Sequence, residues 1–241
     1  AWDLFGGSVS AAGDINGDGF DDLMVGAKYA YYYAEGSTPD NVLFGDQSGR
    51  AYVLFGHNQG FGASLDTSNL DGNNGFIIKG NGYFGFSLSD IGDINGDGLD
   101  DIIIGASSRS SVIFGDSQGF NANLDISNLD SDNGFTINNG WSVDIAGDVN
   151  GDGINDIAVS GVNGYIIFGR QDGFNTTPNV STLDGSNGFT LTSSRAYITS
   201  GFDQELYFCF VNDAGDVNGD GSDDLIITAT FSFETRAGTG Y

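Results

Sequence analysis

The chain has 241 residues and a formal net charge of −26, with 33 acids against seven Lys and Arg and a single histidine. That balance opposes a polyanionic partner, and nucleic-acid binding is excluded as the expected role. Forty glycines, two prolines and 19 phenylalanines favour a turn-rich β protein, and no run is apolar and long enough for a membrane helix.

In chain order, the first landmark is the acidic loop DINGDGFDD at 14–22, which returns as DINGDGLDD at 93–101, DVNGDGIND at 148–156 and DVNGDGSDD at 216–224. Asp, Asn, Asp and Asp occupy positions 1, 3, 5 and 9, with glycine at position 6. Alternating oxygen side chains around a sharp turn suit one hard cation, and the lack of nearby His or Cys favours calcium over zinc or copper. The expected ligands are Asp14, Asn16, Asp18, the Phe20 carbonyl and Asp22 in the first loop. The matching sets are Asp93, Asn95, Asp97, Leu99 and Asp101; Asp148, Asn150, Asp152, Ile154 and Asp156; and Asp216, Asn218, Asp220, Ser222 and Asp224. Solvated turns are the plainer alternative, since Asp, Asn and Gly favour turns anyway. Fifteen of the 33 acids fall inside these loops, so cations would absorb much of the charge.

An EF-hand needs a Glu at position 12 and flanking helices. Position 12 is Val25, Ile104, Val159 or Ile227, within the short runs DLMVGA, DIIIGA, DIAVSG and DLIITA, which read as buried strands. A dockerin loop fails at the same position.

After the first loop comes an insertion at 27–50 that carries Tyr29, Tyr31, Tyr32 and Tyr33. These rings offer rigid contacts for a protein or sugar partner, or belong to a hairpin extension that packs on a neighbour. Next come FGHNQGF (55–61) and a connector leading to NNGF at Phe76. The second copy repeats this with FGDSQGF (114–120) and Phe135, and the third with FGRQDGF (168–174) and Phe189. The repeats fall at about 1–80, 81–139, 140–193 and 194–241. In the second copy four strands are expected: FGFSLSDIGD, DIIIGA, SSVIFG and NGFTIN. Four antiparallel strands per repeat, stacked through Phe, Val and Ile, describe β-propeller blades. The loop at 193–205 supplies Arg195 and Tyr197 as a second candidate contact.

Phe84, Gly85 and Ser87 followed by GDINGDGLDDIIIGA, and Phe5, Gly6 and Ser8 followed by GDINGDGFDDLMVGA, resemble the FG-GAP repeat of integrin alpha-subunit propellers. The third copy departs at Trp141, and the fourth opens with LYFCFVNDAGD. The resemblance implies an all-β propeller, usually seven-bladed, with structural calcium between the first and second strands of a blade and partners on the opposite face. The four repeats, the last incomplete, are read as part of a larger propeller or array.

Catalysis finds no sequence support: there is no nucleophile elbow, no Cys-His pairing and no zinc set, and His57 sits in a turn. Cys209 is expected to be a buried, inert thiol. Asn175 and Asn179 match the glycosylation pattern. No leader or starting Met is present, so the chain reads as a processed protein or an excerpt. The expected role is an extracellular or cell-surface adhesion or recognition module for a protein or glycan. The alternatives are a self-assembling matrix or surface protein and a noncatalytic propeller attached to a secreted hydrolase.

Overall fold

The computed structural model describes residues 4–30, 48–138, 140–161, 163–174, 177–192 and 205–232. Tyr31, Tyr32, Tyr33, Arg195, Tyr197 and Asn175 lie outside the described residues. The described residues form an all-β chain of antiparallel sheets arranged as propeller blades.

The first blade contains β1 (Ser8–Gly13), β2 (Asp22–Ala27), β3 (Ser48–Leu54) and β4 (Gly75–Asn81). The second contains β5 (Ser87–Gly92), β6 (Asp101–Gly105), β7 (Arg109–Ile113) and, after the short β8 (Asn123–Asp125), β9 (Gly134–Asn138). The third contains β10 (Ser142–Gly147), β11 (Asp156–Ser160), β12 (Gly164–Ile167) and β13 (Gly188–Leu191). The fourth repeat shows β14 (Glu205–Gly215) paired with β15 (Asp224–Ser232). Second strands are the most apolar, and for a physical reason. Every residue of β6 and β11 is buried, so both strand faces must be hydrophobic and branched side chains fill them.

One strand was not foreseen as a separate element. β8, from the second repeat's connector, pairs in parallel with β4 and makes the first sheet five-stranded. Each connector turns through a 3-10 helix whose first turn is capped from the preceding side chain. Asp66 accepts from the Ser68 amide, Asp125 from the Ser127 amide and Asn179 from the Ser181 amide.

Cores form between blades as well as within them. One cluster joins Met24, Val53 and Phe76 of the first blade to Phe84, Ile102 and Ile104 of the second. The next joins Ile103, Val112 and Phe135 to Val143, Ile157 and Val159 of the third. The last Phe of the QGF turn reaches back to the preceding blade. Phe120 stacks on Phe76 with centroids 4.2 Å apart, and Phe174 lies 4.8 Å from Phe135. First strands of successive blades lie side by side, so the sheets radiate from that row.

Candidate functional site

Each acidic loop joins the first strand of a blade to the second. All four first strands end in the same irregularity, between Ala11 and Gly13, Asp90 and Gly92, Ile145 and Gly147, and Asp213 and Gly215. The glycine there has φ of 56°, 63°, 69° and 62° in turn, a conformation that side chains with a Cβ rarely adopt. This bulge tips the following Asp off the strand and into the loop. It explains the glycine before position 1 in every copy, for which sequence reading had offered no role.

Inside the loop the position-1 carboxylate gathers backbone amides. Asp14 accepts from the Asp18 and Gly19 amides, both at 2.9 Å, and Asp148 accepts from Asp152 at 2.9 Å and Gly153 at 2.7 Å. Asp93 and Asp216 do the same and also hold the Gly96 and Gly219 amides. At position 3, Asn16, Asn95 and Asn150 accept from the position-5 amide, whereas the Asn218 amide nitrogen donates to Asp224. The position-5 residues Asp18, Asp97, Asp152 and Asp220 accept from the amides of Phe20, Leu99, Ile154 and Ser222. The four loops therefore share the same contacts from the position-1 carboxylate to the amides of positions 5 and 6.

Position 9 differs in burial. Asp22, Asp101 and Asp156 are buried, while Asp224 is half-buried. Asp101 accepts from Gly115 at 2.9 Å and from Ile94 at 3.0 Å, and Asp156 accepts from Gly169 and Val149, both at 3.0 Å. Asp22 accepts from Gly56 at 2.7 Å, but its second oxygen is buried without a hydrogen-bond partner. Burial pushes the Asp101 carboxyl up to about 8, and the negative Asp97 and Asp93 add to the rise against the amides of Gly115 and Ile94. Burial likewise raises Asp22 and Asp156 to about 7, again with the position-5 and position-1 acids contributing.

These contacts show that the Phe-Gly turn and the acidic loop are one device. Gly56, Gly115 and Gly169 donate to position 9, and a Cβ on Gly56 would meet the Asp21 carbonyl oxygen at 2.3 Å. Position 8, outside the ligand pattern read from the sequence, ties neighbouring blades. Asp100 accepts from the Asp14 amide of the preceding blade at 2.8 Å, and Asp223 from the Asp148 amide at 2.7 Å. The Asp116 amide adds a bond to the Ile15 carbonyl, and Arg170 a bond to that of Ile94. The repetition of an acid or amide at position 8 was the available signal.

Among the described residues, no group of three or more Asp, Glu, His or Cys side chains converges as a ready metal cluster. The loop carboxylates are turned onto the loop's own amides instead. The donor set still fits a hard divalent cation: it is all oxygen, it is carboxylate-rich, and it includes an unpartnered buried oxygen on Asp22.

The opposite ends of the strands carry Tyr29, in the connection after β2, edge-on to Tyr83 at 5.4 Å. The Lys28 ammonium lies 5.4 Å from the Tyr29 ring and 4.7 Å from that of Phe86, which is 43% exposed. Tyr83 has φ of 62° and precedes Phe84 as Leu4, with φ of 48°, precedes Phe5. In the third blade the Trp141 amide bonds Ser160 as Gly6 bonds Gly26 and Gly85 bonds Gly105, so Trp141 occupies the glycine's place.

The FG-GAP repeat family matches residues 5–54, 86–120 and 212–241, leaving out the third copy with its altered opening. Integrin alpha pat-2 of Caenorhabditis elegans is 40% identical over 106 residues, 44% of this chain and 7% of that protein. Integrin alpha-2 of Mus musculus is 36% identical over 102 residues, 42% of this chain and 7% of that protein. Phosphatidylinositol-glycan-specific phospholipase D of Mus musculus is 34% identical over 170 residues, 64% of this chain and 18% of that protein. The chain therefore spans less than a fifth of the length of these relatives. Among the described residues no helix is long and apolar enough to cross a membrane. With its blades, its repeated loops and these matches, the chain carries FG-GAP repeats in β-propeller blades and is similar to integrin alpha subunits.

Proposed function

We propose that the chain is a calcium-stabilised, noncatalytic propeller module that works outside the cell or at its surface and recognises a protein or glycan. The observation that carries the calcium reading is the buried position-9 carboxylate, above all the Asp22 oxygen with no partner. A cation held by Asp14, Asn16, Asp18, the Phe20 carbonyl and Asp22, and by their counterparts in the other loops, supplies the missing charge. Calcium suits loops of this kind because it accepts many oxygens in a flexible geometry, and loops of modest affinity fill reliably where free calcium is plentiful. Similarity to integrin alpha subunits supports the adhesion-type reading and the cell-surface location.

Recognition is assigned to the face away from the acidic loops, where Tyr29 and Phe86 flank Lys28 and Tyr83 lies edge-on to Tyr29. Aromatic rings combined with a cation give large contact area at low conformational cost. The test is a screen of immobilised glycans and extracellular proteins in calcium buffer, comparing the wild-type chain with a Tyr29→Ala, Phe86→Ala double variant. Binding that the double variant loses, with its melting curve unchanged, supports this face; equal binding by both proteins refutes it.

The phospholipase D match, which covers more of this chain than the integrin matches do, favours as a second reading a propeller that accompanies a hydrolase domain.

A further inference from the structure

The sequence contains ten Asn-Gly pairs. Such pairs are open to attack by the glycine amide nitrogen on the preceding side chain, because glycine adds no Cβ to hinder it. The fold treats them unequally. The Gly96 and Gly219 amides donate to the carboxylates of Asp93 at 2.7 Å and Asp216 at 2.6 Å. Removing a proton beside a negative charge is opposed, so these nitrogens are poor nucleophiles. Asn74, Asn133 and Asn187 are held at both ends of the side chain, by the amides of Asp71, Asp130 and Asp184 and the carbonyls of Asn69, Asn128 and Thr182. Gly164 is buried within β12, and Asn139 lies outside the described residues. Asn16 precedes a Gly17 amide with no hydrogen bond, but its side chain bonds Asp18 at both ends.

One pair is left without these restraints. Asn150 is exposed and held only through its oxygen by the Asp152 amide. Among the described residues the Gly151 amide finds no hydrogen-bond partner, whereas Asn81 closes the β4 ladder opposite Ser48. We infer that, among the described residues, Asn150 is the principal site of spontaneous deamidation. The glycine nitrogen gives its proton to solvent base and attacks Cγ. The new C–N bond forms as the Cγ–Nδ2 bond breaks, and ammonia leaves. Water then opens the five-membered imide at either carbonyl, giving Asp or isoaspartate, and no redox partner is needed. At Asn150 both products add a carboxylate to the third loop, and isoaspartate also lengthens its backbone by one carbon. On the calcium reading above, the third loop is therefore the one whose cation affinity changes as the protein ages.

The experiment is peptide mapping by mass spectrometry of the full chain aged in chelator at mildly alkaline pH, so its outcome does not depend on metal. Asn150 should convert at least about fivefold faster than Asn95 and Asn218, the factor that one hydrogen bond of ordinary strength supplies. Conversion of Asn95 or Asn218 at the same rate as Asn150 overturns the inference. Asp93→Ala frees the Gly96 amide and should bring Asn95 into the fast class while Asn218 in the same molecule stays slow. A slow Asn95 in that variant, or acceleration of both, contradicts the local protection argued here.

Discussion

At the scale of single residues, position 9 and position 5 of one loop do different work. Asp101 is fully buried and satisfies the Ile94 and Gly115 amides, whereas Asp97 is exposed and engages only its own loop. Asp101→Ala leaves two amides without their acceptor and should cost about 3 kcal/mol in urea unfolding in chelator, and more in calcium. Asp97→Ala should cost about 1 kcal/mol or less in chelator but remove the second loop's share of any calcium stabilisation. The raised carboxyls also fix a pH dependence. Asp22, Asp101 and Asp156 titrate near 3.8 in the unfolded chain and at about 7 to 8 when folded, so between those values the native state holds more protons. Stability of the chelated chain therefore falls as pH rises through that window, and these groups favour the fold most below pH 3.8. Urea midpoints in chelator at mildly acid and mildly alkaline pH check this; a midpoint that rises with pH contradicts it.

At the scale of the element, the blade is held to its predecessor by the connector as much as by its strands. Phe120 stacks on Phe76 and approaches Phe55 of the preceding blade, while Phe61 is half exposed and lies edge-on to His57 within its own turn. Phe120→Ala should cost about 3 kcal/mol, the low end for a Phe truncation because its ring is half-buried, and Phe61→Ala about 0.5 kcal/mol or less. Equal effects would remove the inter-blade role assigned to this turn. The strand order of the second blade was legible from β-branched runs and turn signals, because periodicity and turn chemistry are local. The parallel β8 was not, since Asn123–Asp125 is too short and polar to announce a strand. Its pairing depends on the neighbouring β4, which no local pattern reveals. The same holds for position 8: Asp100 looked like one more loop acid, and only the adjacent blade shows that it grips the Asp14 amide.

At the scale of the whole molecule, the four loops stand in equivalent places and link blades in series, so each cation would act on two blades at once. The repeated motif made the donor set legible, since four in-register copies fix positions 1, 3, 5 and 9. Burial of position 9 was hidden, because it arises where the Phe-Gly turn of the third strand folds over the loop. At free calcium about 100-fold above Kd, each occupied site adds about 2.7 kcal/mol. About 1 kcal/mol moves the melting temperature of a chain of this size by about 2–4 °C. The most direct measurement is a thermal unfolding series of the chelated chain titrated with calcium, with bound calcium determined on the same samples. Occupancy approaching one ion per loop, with Tm rising by more than about 10 °C as the sites fill, is the predicted result. Saturating calcium that leaves Tm unchanged, or a chain that retains no calcium, contradicts the account.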